Sequence, residues 1–165
     1  MLVELPTAWI PVVNVVGLAA LQLGLARLFL WLPNAWFEKR KPEAKPAEHR
    51  LWERLLRVKR WKGFLPDGAA WFEGGFAKGR LAGRDIAYLR QFVRETRRGE
   101  ACHWTALVAA SVFFLWNPWW GDLVIGLYAL AANLPCIIAQ RYNRARLSRI
   151  LARAEREVAV EPAQG

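Results

Sequence analysis

The chain of 165 residues has little that could hold a metal, a disulfide framework or a nucleotide. Its only cysteines are Cys102 and Cys136, which excludes a disulfide scaffold. Its two histidines, His49 and His103, stand 54 residues apart, and no metal-ligand spacing is present. No Gly-x-Ser-x-Gly elbow occurs. The stretch 74–80 mixes glycine with Lys78 and Arg80 but lacks the Gly-Lys-Ser/Thr ending of a phosphate loop. Also missing is a basic lead-in. Before the first long apolar run stands Glu4 and no Lys or Arg, so a retained span is expected there over the alternative of a cleaved signal peptide. Acidic residues are few, 14 against 24 Lys+Arg, which leaves a net charge of +10. The composition is not that of a disordered chain, since 55% of residues are hydrophobic and ten are tryptophan.

Apolar and basic residues occupy different parts of the chain. Residues 5–33 carry a single charge, Arg27, over a length sufficient for a tilted span of the hydrocarbon core. A second apolar block, 101–140, is interrupted by Asn117-Pro118-Trp119-Trp120-Gly121-Asp122, a set of turn residues. It reads as two antiparallel spans, 101–116 and 119–140, joined by a tight turn. Between the blocks, 34–100 holds 17 Lys+Arg, and the tail 141–165 holds six arginines. The N-terminus and the 117–122 turn hold none. The positive-inside rule then places 34–100 and the tail in the cytoplasm, with the N-terminus and the turn outside. Trp9, Trp116, Trp119 and Trp120 would mark the outer interface; Trp31, Trp36 and Trp104 would mark the inner one. The expected fold is an all-α integral membrane protein, residues 1–165 forming a single membrane domain. It has three transmembrane helices and cytoplasmic interfacial amphipathic helices, and it is expected to be a multi-pass membrane protein. The basic residues lie where topology already requires them, so nucleic acid is not expected as a partner.

Within 34–100, residues 41–46 read as a linker. Leu51, Trp52, Leu55 and Leu56 recur at helical spacing between about 47 and 58, with Glu53 and Arg57 as an i,i+4 pair. A basic helix with such a face is expected to lie in the interface plane. Pro66-Asp67-Gly68 marks a turn in a glycine-rich stretch. Ile86, Leu89, Phe92 and Val93 give a second helical stripe that runs towards 101, with Gly99 as a possible kink.

Glu100 and His103 share a helix face at i and i+3 where the second span begins. A carboxylate beside an imidazole can fix its tautomer and raise its basicity, which suits proton removal from a hydroxyl at headgroup level. The same pair also reads as a helix-start glutamate and an interfacial histidine without chemistry. After the third span, Arg141, Asn143, Arg144 and Arg146 suit an anion site through arginine's forked donors, or plain cytoplasmic anchoring. Asn133, Gln140 and Arg144 fall near one helical stripe, and Pro135 would free a backbone carbonyl beside it. Asn14, Gln22 and Arg27 of the first span could face that stripe. Cys102 or Cys136 could carry an acyl thioester, or serve as small apolar filler.

Longer strings are more specific. They include Arg57-Val58-Lys59-Arg60-Trp61-Lys62, Leu65-Pro66-Asp67-Gly68-Ala69, Gly74-Gly75-Phe76 and Arg84-Asp85 with Tyr88-Leu89. Further along are Glu95-Thr96, Arg98-Gly99-Glu100, His103-Trp104, Trp116-Asn117-Pro118, the run 133–144, and Arg146-Leu147. Over roughly residues 50–147 these resemble the bacterial glycosyl-4,4′-diaponeurosporenoate acyltransferase family. That family is associated with the last step of staphyloxanthin synthesis, acylation of a sugar hydroxyl on a carotenoid glycoside. The resemblance implies a membrane acyltransferase acting on a carotenoid glycoside or related glycolipid. His103 would be the general base and Glu100 its orienting partner. Arg141, Asn143, Arg144 and Arg146 would bind donor or sugar, with Asn133 and Gln140 beside them. It implies no bound cofactor; the acyl donor, an acyl-CoA or a phospholipid, enters as cosubstrate. Membrane lipid and the glycoside are the expected partners, and the sequence leaves the oligomeric state open. Two other readings stay open: a different lipid-modifying enzyme such as a phospholipid transacylase, and a non-enzymatic membrane adaptor.

Overall fold

The computed structural model describes residues 2–38, 48–65, 71, 73, 75, 76 and 85–160. The linker 41–46, the Pro66-Asp67-Gly68 turn and most of the 74–80 stretch lie outside them. Among the described residues there is no strand. The helices are α1 (Ile10–Trp31), α2 (Glu48–Leu56), α3 (Val58–Trp61), α4 (Ile86–Ala109) and α5 (Trp119–Val160). Short 3₁₀ turns occupy Asn34–Phe37, Lys62–Phe64 and Ala110–Leu115.

α1 starts with Pro11 in its first turn, where the missing N–H costs nothing. It ends at Leu32, which precedes Pro33 and takes extended backbone. It is apolar on every side, and Leu18 is its only buried residue. α4 is capped by Asp85, whose carboxylate accepts the Tyr88 backbone N–H at 2.8 Å. The helix passes through Gly99 without interruption and tightens into the 3₁₀ turn after Ala109. Glycine here serves close packing, not a kink. A Cβ on Gly99 would stand 3.0 Å from the Gln140 amide. The tight turn expected between residues 116 and 119 is present, and α5 begins at Trp119 as expected from the sequence.

α5 continues well past residue 140. The change there is one of composition within a single 42-residue helix, about 63 Å long at 1.5 Å per residue. Pro135 sits inside it. α1 and α5 are the two described helices long and apolar enough to cross a membrane. Residues 101–115 form the apolar half of a rod whose other half is charged. That half leaves Val108, Val112, Phe114 and Leu115 exposed, and the facing part of α5 exposes Leu123, Val124, Leu127 and Leu130. So large an apolar surface marks contact with lipid or another apolar partner.

Two apolar clusters hold the α4–α5 hairpin. At one end Leu18 of α1 packs with Ala110, Phe113, Ile125 and Ala129. At the other Leu89, Phe92 and Val93 meet Leu147 and Leu151. Each cluster has a polar tie to α1. At the hairpin-tip end Asn14 Nδ2 donates to Asn117 Oδ1 at 2.8 Å, while Trp116 Nε1 and Asn117 Nδ2 donate to Asn14 Oδ1. Asn14 therefore serves the hairpin tip and not the Asn133 stripe expected for it. Arg27 lies over the Trp31 ring at 5.0 Å. At the C-terminal end of α1 Arg98 is clamped between Glu95 (3.0 Å), Asn34 Oδ1 (2.5 Å) and the Leu32 carbonyl (3.3 Å). Arg97 donates to the Phe37 carbonyl and Arg94 to Glu38.

α2 is shorter than the stripe suggested. It stops at Leu56, and Arg57 turns the chain with φ 48°, in the left-handed region. Glu53 Oε2 accepts the Lys59 backbone N–H at 2.9 Å, so this carboxylate serves the next helix's backbone. Leu51, Leu55 and Leu56 remain exposed along α2.

Candidate active site

Antiparallel packing brings the middle of α4 against the middle of α5. Gly99, Glu100 and His103 on one helix face Asn133, Gln140, Arg141 and Arg144 on the other. The site lies where the apolar half of each rod gives way to its charged half.

Asn133 is almost wholly buried, with 1% of its surface exposed. Its Nδ2 donates to the Ala129 carbonyl at 2.9 Å, one turn back along α5. That carbonyl can only accept, so the amide's Oδ1 must face the other way, where it lies 3.0 Å from His103 Nδ1. Nδ1 therefore carries the proton, and in the neutral ring Nε2 carries the basic lone pair. Asn133 positions the imidazole and has no surface left for a ligand, unlike the binding role expected for it.

Glu100 occupies a different niche. Its Oε1 accepts from Arg141 Nε at 2.6 Å, and its Oε2 pairs with Arg144 Nη1 at 2.6 Å. Burial pushes its carboxyl upward, but hydrogen bonds and charge from the two guanidiniums outweigh this and hold it below the ordinary value. It is an ionised acceptor that fixes two arginines. At Nδ1 the group orienting His103 is thus the Asn133 amide rather than the Glu100 carboxylate.

The arginine motif after the third apolar block divides between two faces of α5. Arg141 and Arg144, three apart, point to Glu100. Asn143 turns to the α3 side, where its Oδ1 accepts from Lys62 Nζ at 2.6 Å. Arg146 is exposed, and its charge acts on the same lysine. Gln140 packs over Gly99, and its Oε1 is buried without a hydrogen-bond partner. Cys136 is buried, with Sγ turned 3.5 Å from the Ala132 carbonyl of its own helix. Cys102 is half-buried. No group of three or more potential metal ligands occurs among the described residues.

Sequence reasoning missed Lys62 as the partner of Asn143, and the Glu95–Arg98–Asn34 clamp next to Glu100. Glu95 and Arg98 stand three apart on α4, a spacing that allows a pair, but nothing in the sequence marks it as buried.

Comparison with known proteins adds a family. Residues 33–153 match the model of the family described as glycosyl-4,4'-diaponeurosporenoate acyltransferase. A protein of that name from Staphylococcus haemolyticus is 30% identical over 131 residues, covering 77% of this chain and 76% of the relative. Its namesake from Staphylococcus aureus is 29% identical over 134 residues, covering 79% and 81%. No solved structure matches the chain.

Proposed function

The chain belongs to the glycosyl-4,4'-diaponeurosporenoate acyltransferase family, and from that membership we propose that it is a membrane enzyme that moves a fatty acyl group onto a sugar hydroxyl of a carotenoid glycoside or a related glycolipid. The observation that carries the chemistry is the 3.0 Å contact between His103 Nδ1 and the Oδ1 of an asparagine whose Nδ2 is fixed on the Ala129 carbonyl. With Nε2 basic, His103 takes the proton of the sugar hydroxyl as its oxygen attacks the donor's acyl carbon. The new ester C–O bond forms, and the bond from the acyl carbon to the donor's leaving sulfur or oxygen breaks. The imidazolium then returns the proton to that leaving group. Arg141 and Arg144 stand beside this centre as donors to sugar or donor oxygens, with Glu100 holding their geometry. The acyl group arrives on an acyl-CoA or a phospholipid as cosubstrate.

The chain acts as one membrane domain with three crossings: α1, the apolar half of the 86–115 rod, and the N-terminal part of α5. The N-terminus and the 117–118 hairpin lie outside, and 34–100 and the tail lie in the cytoplasm. His103 and the arginines then sit at the inner headgroup level. Acyl chain and polyene run between the spans, and the sugar stays at the polar end. Lipid extraction from cells with and without the gene tests the reading. Loss of the gene should leave unacylated glycoside to accumulate. An unchanged lipid profile would sink the enzyme in favour of an adaptor.

A further inference from the structure

Beside the catalytic centre, α2 and α3 pack against the second face of α5 and enclose an open groove of about 460 Å³. That size lies within the range of ligand clefts. Arg50, Glu53, Arg54, Lys59 and Tyr142 line it. Among the described lining residues the carboxylate is Glu53, and it accepts the Lys59 backbone N–H. Arg50, Arg54 and Lys59 are all exposed. Lys62 closes one side, its Nζ 5.1 Å from the centre of the Tyr142 ring and bonded to Asn143. Burial, then repulsion from Arg146, pushes the Lys62 ammonium below its ordinary value, with Glu53 acting the other way. Among the described lining residues three cations, Arg50, Arg54 and Lys59, stand against one carboxylate.

Three features narrow the ligand. Three lining cations with Lys62 alongside, set against the Glu53 carboxylate, suit a group with more than one negative charge, as phosphate has, better than a single carboxylate. Arg50 and Arg54, four apart on α2, run next to the exposed Leu51–Leu55 ridge, so an anion held there would have an apolar surface alongside. Asn143, at the groove's Lys62 side, is the immediate neighbour of Arg144, whose guanidinium, on the adjoining face of α5, reaches Glu100 of α4.

We propose that this groove is the phosphate subsite for the acyl donor, with Arg50, Arg54 and Lys59 binding the phosphate of a coenzyme A thioester or of a phospholipid and Lys62 and Tyr142 forming its inner wall. The donor assignment rests on the acyltransferase reading; phosphate recognition itself can be measured without turnover.

The full chain in phosphatidylcholine nanodiscs should be titrated with coenzyme A and, separately, compared with nanodiscs containing phosphatidylglycerol. The test variant is R50Q/R54Q. The control is R153Q/R156Q, which removes the same charge from the distal tail. One probe should lose at least about ten-fold in affinity in the test variant, as expected for losing charge-assisted contacts. The control should change less than about two-fold, within the small effect of distant screened charge. Loss confined to coenzyme A identifies a soluble thioester, and loss confined to phosphatidylglycerol identifies a phospholipid. In acyl-transfer assays the donor KM should rise, with kcat at saturating donor kept. R54K should recover most of the affinity, and both double variants should keep wild-type helical circular dichroism. Equal losses in test and control, or no loss of either probe, overturn the subsite. Acyl transfer at unchanged donor KM in R50Q/R54Q also overturns it while leaving the acyltransferase reading intact. Groove-dependent phosphate binding by a chain that transfers no acyl group overturns the acyltransferase reading and the donor assignment with it.

Discussion

His103 owes the position of its lone pair to an asparagine that reports no chemistry of its own. Replacing His103 with Gln should lower kcat by about 10²- to 10⁴-fold, the usual worth of a positioned general base. Asn133→Ala should lower kcat by less, and should cost about 1–3 kcal/mol of stability because a buried hydrogen bond is lost. Turnover assays and thermal unfolding in detergent check both. Glu100 gives a pH signature. Its folded pKa is depressed, so its stabilisation is complete above the unfolded carboxylate pKa and is lost as pH falls through the lower folded value. The gap in melting temperature between wild type and Glu100→Gln should persist at neutral pH and begin to narrow as pH enters the carboxylate range. It should vanish only at more acidic pH. A gap unchanged in strong acid would contradict the ion-pair account. Residue type and spacing pointed to Glu100 and His103 as neighbours on one face. They could not reveal that each is answered from α5, because i,i+3 proximity carries no information about the helix across the interface.

The joint between α1 and α4 is made by a few polar side chains. Arg98 and Glu95 are both buried, so removing Arg98 leaves Glu95 with the longer 3.7 Å pairing to Arg94 as its remaining ion pair among the described residues. Arg98→Met should cost about 3–5 kcal/mol, and the added change Glu95→Leu should restore part of it. Thermal melts of the single and double variants separate a buried pair from simple packing. At the other joint, a Cβ on Gly17 would come within 2.8 Å of the Phe113 ring. Gly17→Leu should therefore pry α1 from the hairpin and lower the melting temperature, while Gly24→Leu, with open space around it, should not. The hairpin at Asn117-Pro118 was legible because proline and asparagine punctuate the chain. The continuation of α5 to Val160 was not. Its apolar half ends in an arginine-rich sequence with good helix formers and no breaker, so composition changes where backbone does not. The break of α2 at Arg57 was equally hidden, since the left-handed turn falls on an arginine and not a glycine.

Taken whole, the molecule separates its charge from its apolar surface along its length. That division was readable from the positions of lysine, arginine and tryptophan alone. The proposed three-crossing topology predicts that reporters fused at the N-terminus or inserted at the 117–118 hairpin behave as external, and those in the 39–47 segment or the tail as cytoplasmic. A cytoplasmic N-terminus would remove α1 as a crossing. The apolar uniformity of α1 also bears on biogenesis. The Leu32 carbonyl receives its bond from Arg98, 66 residues later in the chain. At a synthesis rate of about 5–20 residues per second, this partner emerges roughly 3–13 s after its acceptor. During that interval the Leu32 carbonyl lacks its Arg98 donor, and in the proposed topology a helix with a polar stripe would be exposed to lipid on that stripe. With one buried residue and a nearly uniform apolar surface, α1 would in that topology wait in the bilayer before the hairpin's polar ties are added late.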